Sequence, residues 1–382
     1  MSSLDTEVVV IGAGPAGLAV GATLRVAGVP ALIVDRAAAV GASWRAHYDR
    51  LRLHTERRLS GLPGLPIPRA YGKWMPRAQV VEYLEDYARH HALRLSLGTT
   101  VLSLERDGAG YRLITSAGEL MARFVVVATG YNHTPLLPDW PGRAGFTGTL
   151  LHASAYRNAE PYRGRDVLVV GTGNSGAEIA VDLCEGGASQ VRVAVRTPPS
   201  IMQRETGGVS AQQLGILLRH APARLVDAIA RPLQRLTIGD LSRYGLPDPP
   251  VGPFTRAQQG HIAILDVGFV DALKQGRLRV VPAVRGFAGA DVLLESAAPI
   301  RPEVVIAATG YRRGLEALVG HLDVLSPQGL PLEHGPRTHP AAPGLHFIGY
   351  TNPVSGNLRE LGIDARAIAD AIAAARSTGA GA

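Results

Sequence analysis

Cysteine and lysine are almost missing from this chain. Cys184 is the only cysteine among 382 residues. A lone thiol can form neither an internal disulfide nor a Cys-x-x-Cys relay, which excludes dithiol reductase chemistry. Cys184 sits in an expected helix and reads as a packed core thiol. Lys73 and Lys274 are the only lysines among 39 basic residues, so arginine carries nearly all of the +7 charge. No run of like charge and no basic stripe interleaved with aromatics occurs, which argues against nucleic acid as a partner. Charged residues make up 19% against 46% hydrophobic, which excludes global disorder. A targeting segment is missing too. Residues 8–24 carry no charge, but Asp5 and Glu7 precede them where a signal peptide needs basic residues. Four glycines and a proline interrupt that run, so strand, turn and helix explain it better than a membrane span. The expectation is a soluble, cytoplasmic protein with no stable membrane association and no metal site.

What is present is a device used twice. EVVVI (7–11) reads as a buried parallel strand, followed by Gly12, Gly14 and Gly17, a small-residue helix, and a second strand over 30–35. In such a turn the first glycine permits a tight bend. The second lets the backbone approach a pyrophosphate, and the third lets helix and strand pack closely. Asp35 ends the second strand, 18 residues after Gly17, where a carboxylate can accept hydrogen bonds from ribose hydroxyls. The device recurs as DVLVV (166–170), Gly171, Gly173 and Gly176, a helix, and QVRVAV (190–195). This copy ends in Arg196-Thr197 instead of an acid, and Arg can pair bidentately with a 2′-phosphate. Such a charge-assisted pair contributes about 1.5–3 kcal/mol. The first copy therefore suits FAD or NAD and the second NADPH. Asn174 and Ser175, in the second turn, join the expected cofactor-binding set.

Two further apolar runs end alike, in Ala-Thr-Gly-Tyr at 128–131 and 308–311. They read as points where the chain crosses between two nucleotide domains, with Gly130 and Gly310 beside the cofactors. GLHFIGYTNPVSGN (344–357) reads as a strand and a glycine-rich turn. Gly349, Gly356 and Asn352 are expected near the flavin. Leu361, Ala365, Ile368 and Ile372 then follow at helical spacing. Residues 200–275 look like helices broken by prolines. Arg219, Arg224, Arg231 and Arg235 raise a membrane-facing helix as one reading, and a helical insertion on the substrate side is preferred. The fold expected is α/β, with two Rossmann-like dinucleotide-binding domains, the second inserted in the first. The FAD domain would take 1–160 and 312–382, and the NADPH domain 161–311, with the helical insertion at about 200–275.

Between the two turns lies Phe146-x-Gly148-x-x-x-His152-x-x-x-Tyr156. With the paired fingerprints and both Ala-Thr-Gly motifs, it resembles the identifying motif of the class B flavin-dependent monooxygenases. YDRLRLHT (48–55), YLEDYA (83–88), GLPDPPVGP (245–253) and ILDVG (264–268) resemble the YUCCA branch of that family. The resemblance implies an NADPH- and O2-dependent FAD enzyme. NADPH reduces the flavin, O2 is trapped as a C4a-(hydro)peroxide, and one oxygen atom passes to a small-molecule substrate. It implies that His152 and Tyr156 act by position and hydrogen bonding, where the domains meet. It also puts Trp44 and Arg45 along the flavin. Many members place an Asn near the flavin where this chain has His54, whose imidazole can hydrogen-bond toward the flavin's oxygen or the nicotinamide. Soft N or S atoms and carbonyl or 2-oxo acid substrates both fit, and a homodimer is compatible. The other readings are an NADPH oxidase or flavin reductase that releases hydrogen peroxide, and a non-catalytic dinucleotide sensor.

Overall fold

The computed structural model describes residues 6–219, 221–258, 260 and 263–379, so Asp5 lies outside the described residues. Along the chain the longer elements begin with β1 (Thr6–Ile11), α1 (Pro15–Val26), β2 (Ala31–Asp35) and α2 (Arg77–His90). Then come β3 (Leu95–Leu97), β4 (Val101–Asp107), β5 (Gly110–Thr115) and β6 (Gly118–Val127). The middle of the chain forms β7 (Thr149–His152), β8 (Asp166–Val170), α3 (Asn174–Glu185) and β9 (Gln190–Val195). Helices α4 (Ala211–Leu218) and α5 (Ala223–Thr237) precede β10 (Leu278–Pro282) and β11 (Val304–Ala307). Strand β12 (Leu345–Phe347) and α6 (Asn357–Gly379) end the described chain.

Contacts divide these elements into two units. One comprises the described residues up to Ala46, Thr55–Thr134 and those from Tyr311 onward; the other comprises His47–His54 and Pro135–Gly310. The expected boundary at 160/161 is not where the contacts divide. Strand β7 pairs in parallel with β11, which draws the stretch before residue 161 into the second unit. The second unit also claims 47–54, a short excursion that no local pattern announces.

The first unit holds a seven-stranded sheet in the order β3-β2-β1-β6-β5-β4, with β12 also paired to β6. Its parallel strands are covered on both faces, which is why they read as unbroken apolar runs. Val8, Val9 and Val10 of β1 and Val125, Val126 and Val127 of β6 have no exposed surface. Helix α1 starts with Pro15, where the missing N–H has no helical partner to lose. Leu361, Ala365, Ile368 and Ile372 form the buried stripe of α6. The second unit holds a five-stranded parallel sheet in the order β10-β9-β8-β11-β7.

Two expectations change here. Pro222 does stand at the N-cap of α5, but Pro232 lies inside the helix and does not break it. The carbonyl of Ala228, which loses its helical partner there, belongs to an exposed residue that water can reach. The outward face of α5 carries Leu225, Ile229 and Leu236, at 64%, 75% and 83% exposure. Cys184 is half-buried, not a core residue; its Sγ meets the Arg277 carbonyl at 3.4 Å, and burial pushes the thiol up to about 11. No described helix is long and apolar enough to cross a membrane.

Candidate cofactor and active site

In the first unit, the turn between β1 and α1 is built against the first Ala-Thr-Gly motif. Gly12 has φ +116, and a Cβ there would stand 2.4 Å from the Ala128 carbonyl oxygen. A Cβ at Gly17 would stand 1.8 Å from the Gly12 oxygen. At Gly14 a Cβ would meet nothing within 4 Å. Two glycines thus close the turn and the third leaves open space at the N-terminus of α1, where free N–H groups favour an anion. Asp35 steadies the same turn. Its carboxylate accepts from the Ala13 N–H at 2.6 Å and from the Ala37 N–H at 2.8 Å. Each oxygen keeps lone pairs for a ribose hydroxyl. Trp44 is half-buried and Arg45 exposed, in a short helix over Ala42–Arg45. Arg45 is ion-paired with Glu85, and its carbonyl accepts from Arg77 at 2.8 Å.

The second unit repeats this geometry. Gly171 has φ +108, with the would-be Cβ 2.5 Å from the Ala308 oxygen. Gly176 would bring a Cβ 2.1 Å from the Gly171 oxygen, and Gly173 again faces open space. So each Ala-Thr-Gly motif is the wall against which a fingerprint turn closes. Thr129 bonds the Tyr350 hydroxyl in the first unit, and Thr309 donates to the Leu136 carbonyl in the second. Arg196 and Thr197 are exposed at the end of β9. Arg196 makes no hydrogen bond or ion pair among the described residues, so its fork is available to a phosphate. Asn174 is different. Its Oδ1 accepts from the Leu265 N–H at 2.8 Å and its Nδ2 donates to the Ala263 carbonyl at 3.3 Å. That side chain is spent on holding the ILDVG stretch, leaving the backbone of the turn to meet a ligand. Gly130 and Gly310 both have positive φ and open space at Cβ. Gly349 is buried, with φ +85 and Leu361 and Ala16 at ordinary contact distance, so conformation is what requires glycine there. Asn352 is exposed.

The Phe146 to Tyr156 motif acts as a staple within the second unit. Phe146 packs on Phe287 with ring centroids 5.0 Å apart. A Cβ at Gly148 would stand 2.8 Å from the Glu303 oxygen. His152 ends β7. Its Nε2–H donates to the Gly310 carbonyl at 3.0 Å, while Nδ1 accepts from the Ser154 N–H at 3.1 Å. Burial holds this imidazole below its usual range, so the ring is a neutral strut. Tyr156 has no exposed surface, and its hydroxyl donates to Asp182 on α3 at 2.6 Å. Burial, then Asp182, pushes that phenol far up, so it keeps its proton. The motif therefore ties the second Ala-Thr-Gly motif at one end and the fingerprint helix at the other.

His54 is half-buried and sits on the excursion 47–54. Its Nε2 is bonded to the Glu178 carboxylate, about one turn into α3. Glu178 is 4% exposed. The Tyr48 hydroxyl is bonded to both Glu178 and Ser175 and is itself buried. Burial first, then the Glu178 charge, raises the Tyr48 phenol well above its usual range. Arg204 faces the same carboxylate. Sequence reasoning missed Glu178, Tyr48, Asp182 and Arg204 as parts of the site. The signal available was the position of Glu178, two residues past the last fingerprint glycine, where a buried acid needs a partner. The residues present fit a dinucleotide in each unit: two open cradles, an acid at the first strand end and an uncommitted Arg at the second.

Comparisons with known proteins identify the family. The family model described as pyridine nucleotide-disulphide oxidoreductase matches residues 9–210. The single cysteine leaves this chain the scaffold of that family without a dithiol pair. Indole-3-pyruvate monooxygenase YUCCA1 of Oryza sativa subsp. japonica is 37% identical over 350 residues, which is 90% of this chain and 86% of that protein. The probable indole-3-pyruvate monooxygenase YUCCA3 of Arabidopsis thaliana is 33% identical over 96% of this chain and 86% of its own. Among solved structures, a mutant flavin monooxygenase from Stenotrophomonas maltophilia superposes with a TM-score of 0.76 at 25% identity, covering 97% of this chain and 99% of that one. Cyclohexanone monooxygenase shares the fold, with a TM-score of 0.76 at 18% identity over 98% of this chain and 88% of its own.

Proposed function

Because the chain belongs to the class B flavin-dependent monooxygenases, on their YUCCA-like branch, we propose that it oxidatively decarboxylates an aryl-substituted 2-oxo acid. It is a flavin-dependent monooxygenase that uses FAD, NADPH and O2. In the reaction proposed, NADPH, a proton, O2 and the 2-oxo acid give the acid shortened by one carbon, CO2, NADP+ and water. Bound FAD supplies the redox and oxygen-activating chemistry. The protein's own residues bind, orient and exclude water.

The observation that carries the reading is the duplicated cradle, with Gly14 and Gly173 both facing open space while their flanking glycines close each turn. On this account the first cradle and Asp35 hold FAD. The second cradle with Arg196 and Thr197 holds NADPH and favours its 2′-phosphate. His152 and Tyr156 keep the NADPH unit in shape. His54 is the residue proposed to meet the nicotinamide end of NADPH. The 2-oxo acid is supported by the activity after which the similar YUCCA proteins are named, and by chemistry. A keto carbon accepts a nucleophilic oxygen, and its carboxylate leaves as CO2.

The test is turnover with an aryl 2-oxo acid under heavy-oxygen-labelled O2. One labelled oxygen in the new carboxyl group, with product matching NADPH consumed, is the expected result. Label entering a thioether or amine probe while the 2-oxo acid stays intact would replace the substrate class. Peroxide matching NADPH with every substrate would reduce the protein to an oxidase.

A further inference from the structure

His54 does not meet its ligand as a free ring. One of its two nitrogens is already committed, because Nε2 is bonded to the Glu178 carboxylate. A carboxylate only accepts, so Nε2 must carry a proton in that contact. Glu178 is itself held. It is 4% exposed, Tyr48 bonds it, and Tyr48 also bonds Ser175 in the fingerprint turn. The Arg204 guanidinium faces it as well. A buried carboxylate close to a phosphate-binding turn is expensive unless its charge is matched, and nothing in cradle geometry itself requires one.

We propose that Glu178 is a positioning residue that fixes the tautomer and orientation of His54, so that Nδ1 alone is left to meet the nicotinamide end of NADPH. In the neutral ring Nδ1 is then an acceptor, matched to an N–H donor such as the carboxamide of a nicotinamide. The hydrogen bond on one imidazole nitrogen sets what the other can offer. A ring left free to turn would lose that contact and loosen the bound nicotinamide. This rests on the placement of His54 given under the proposed function.

Three variants test it: Glu178→Gln, His54→Asn and the double variant. The first readout needs no turnover. Long-range nitrogen–proton correlation on the FAD-loaded protein, with the His54 signal assigned by its loss in His54→Asn, should show the Nε2–H form. In Glu178→Gln it should show a mixture of tautomers. The second is peroxide released per NADPH consumed. Glu178→Gln should raise it roughly tenfold, the loss of one charge-assisted bond, with the KM for NADPH held within about twofold, and should add nothing in the His54→Asn background. A Nδ1–H tautomer in the parent protein would overturn the proposal. So would an equal effect of Glu178→Gln in both backgrounds, or a rise in KM with no change in peroxide. If Glu178→Gln does not fold, Glu178→Asp keeps the carboxylate and must keep the Nε2–H signal. A parent protein that releases only peroxide defeats the proposed function, while the tautomer readout still decides this proposal.

Discussion

At Gly14 a side chain would clash with no protein atom, but it would fill the space proposed for a cofactor. Its φ is −82° and nothing lies within 4 Å of a would-be Cβ. Gly14→Val should therefore fold, emerge colourless as read by flavin absorbance, and melt at the temperature of the FAD-free parent; full yellow occupancy would contradict the FAD cradle. Gly17→Ala is the contrasting case, because its Cβ would overlap the Gly12 oxygen at 1.8 Å and should destabilise the fold itself. Arg196 has no protein partner among the described residues, so Arg196→Ala should leave the fold untouched. It should raise the KM for NADPH by roughly ten- to a hundredfold, the kinetic equivalent of about 1.5–3 kcal/mol, and leave NADH nearly unaffected. Equal effects on both nucleotides would remove the 2′-phosphate assignment.

Among the elements, β7 and the short turn after it do the stapling. Tyr156→Phe removes the hydroxyl from Asp182 while keeping the ring stacked on Tyr162, with centroids 5.5 Å apart. The expected loss is about 1–3 kcal/mol in denaturant unfolding, with no change in flavin content; an unaltered midpoint would mean the bond does not anchor α3. Asp227 plays a similar part in the helical insertion. It is buried, and it accepts from the Phe254 and Thr255 N–H groups at 2.8 and 3.0 Å. The strand-turn-helix pairs were legible because they are local. β8 and β9 fall on DVLVV and QVRVAV to the residue, since a glycine turn and an apolar run announce each other. The excursion 47–54 was not legible, because what holds it is tertiary. Arg50 reaches Glu185 and His54 reaches Glu178, more than a hundred residues on. Asn174 was read as a ligand contact from its place in the turn. Its side-chain amide serves Leu265, a partner that no spacing rule supplies, which leaves only its backbone for a ligand.

For the molecule as a whole, acid should be the harsher direction. His91, His133, His152, His334 and His346 are all held below the usual 6.5, burial being the largest cause in each. For such groups the unfolded chain binds more protons than the folded one once pH falls below about 6.5, so stability rises with pH through that window and is lost on acidification. Asp364 runs the other way. Burial and then Glu360 push it up to about 6, so its contribution is present below the ordinary carboxylate range and lost as pH rises through about 6. Five groups against one predict a melting temperature that falls between pH 7 and pH 5; a flat or rising profile would mean that these rings are not buried neutral. The same whole-molecule account makes one chain bind two dinucleotides in twin cradles and keep water from reduced flavin. The measurement that tests this most directly is anaerobic reduction of the purified protein by NADPH, followed by rapid mixing with O2. A transient absorbance distinct from both reduced and oxidised flavin, discharged faster when an aryl 2-oxo acid is present, is the predicted result. Direct return of oxidised flavin with stoichiometric peroxide, with that acid present or absent, would contradict it.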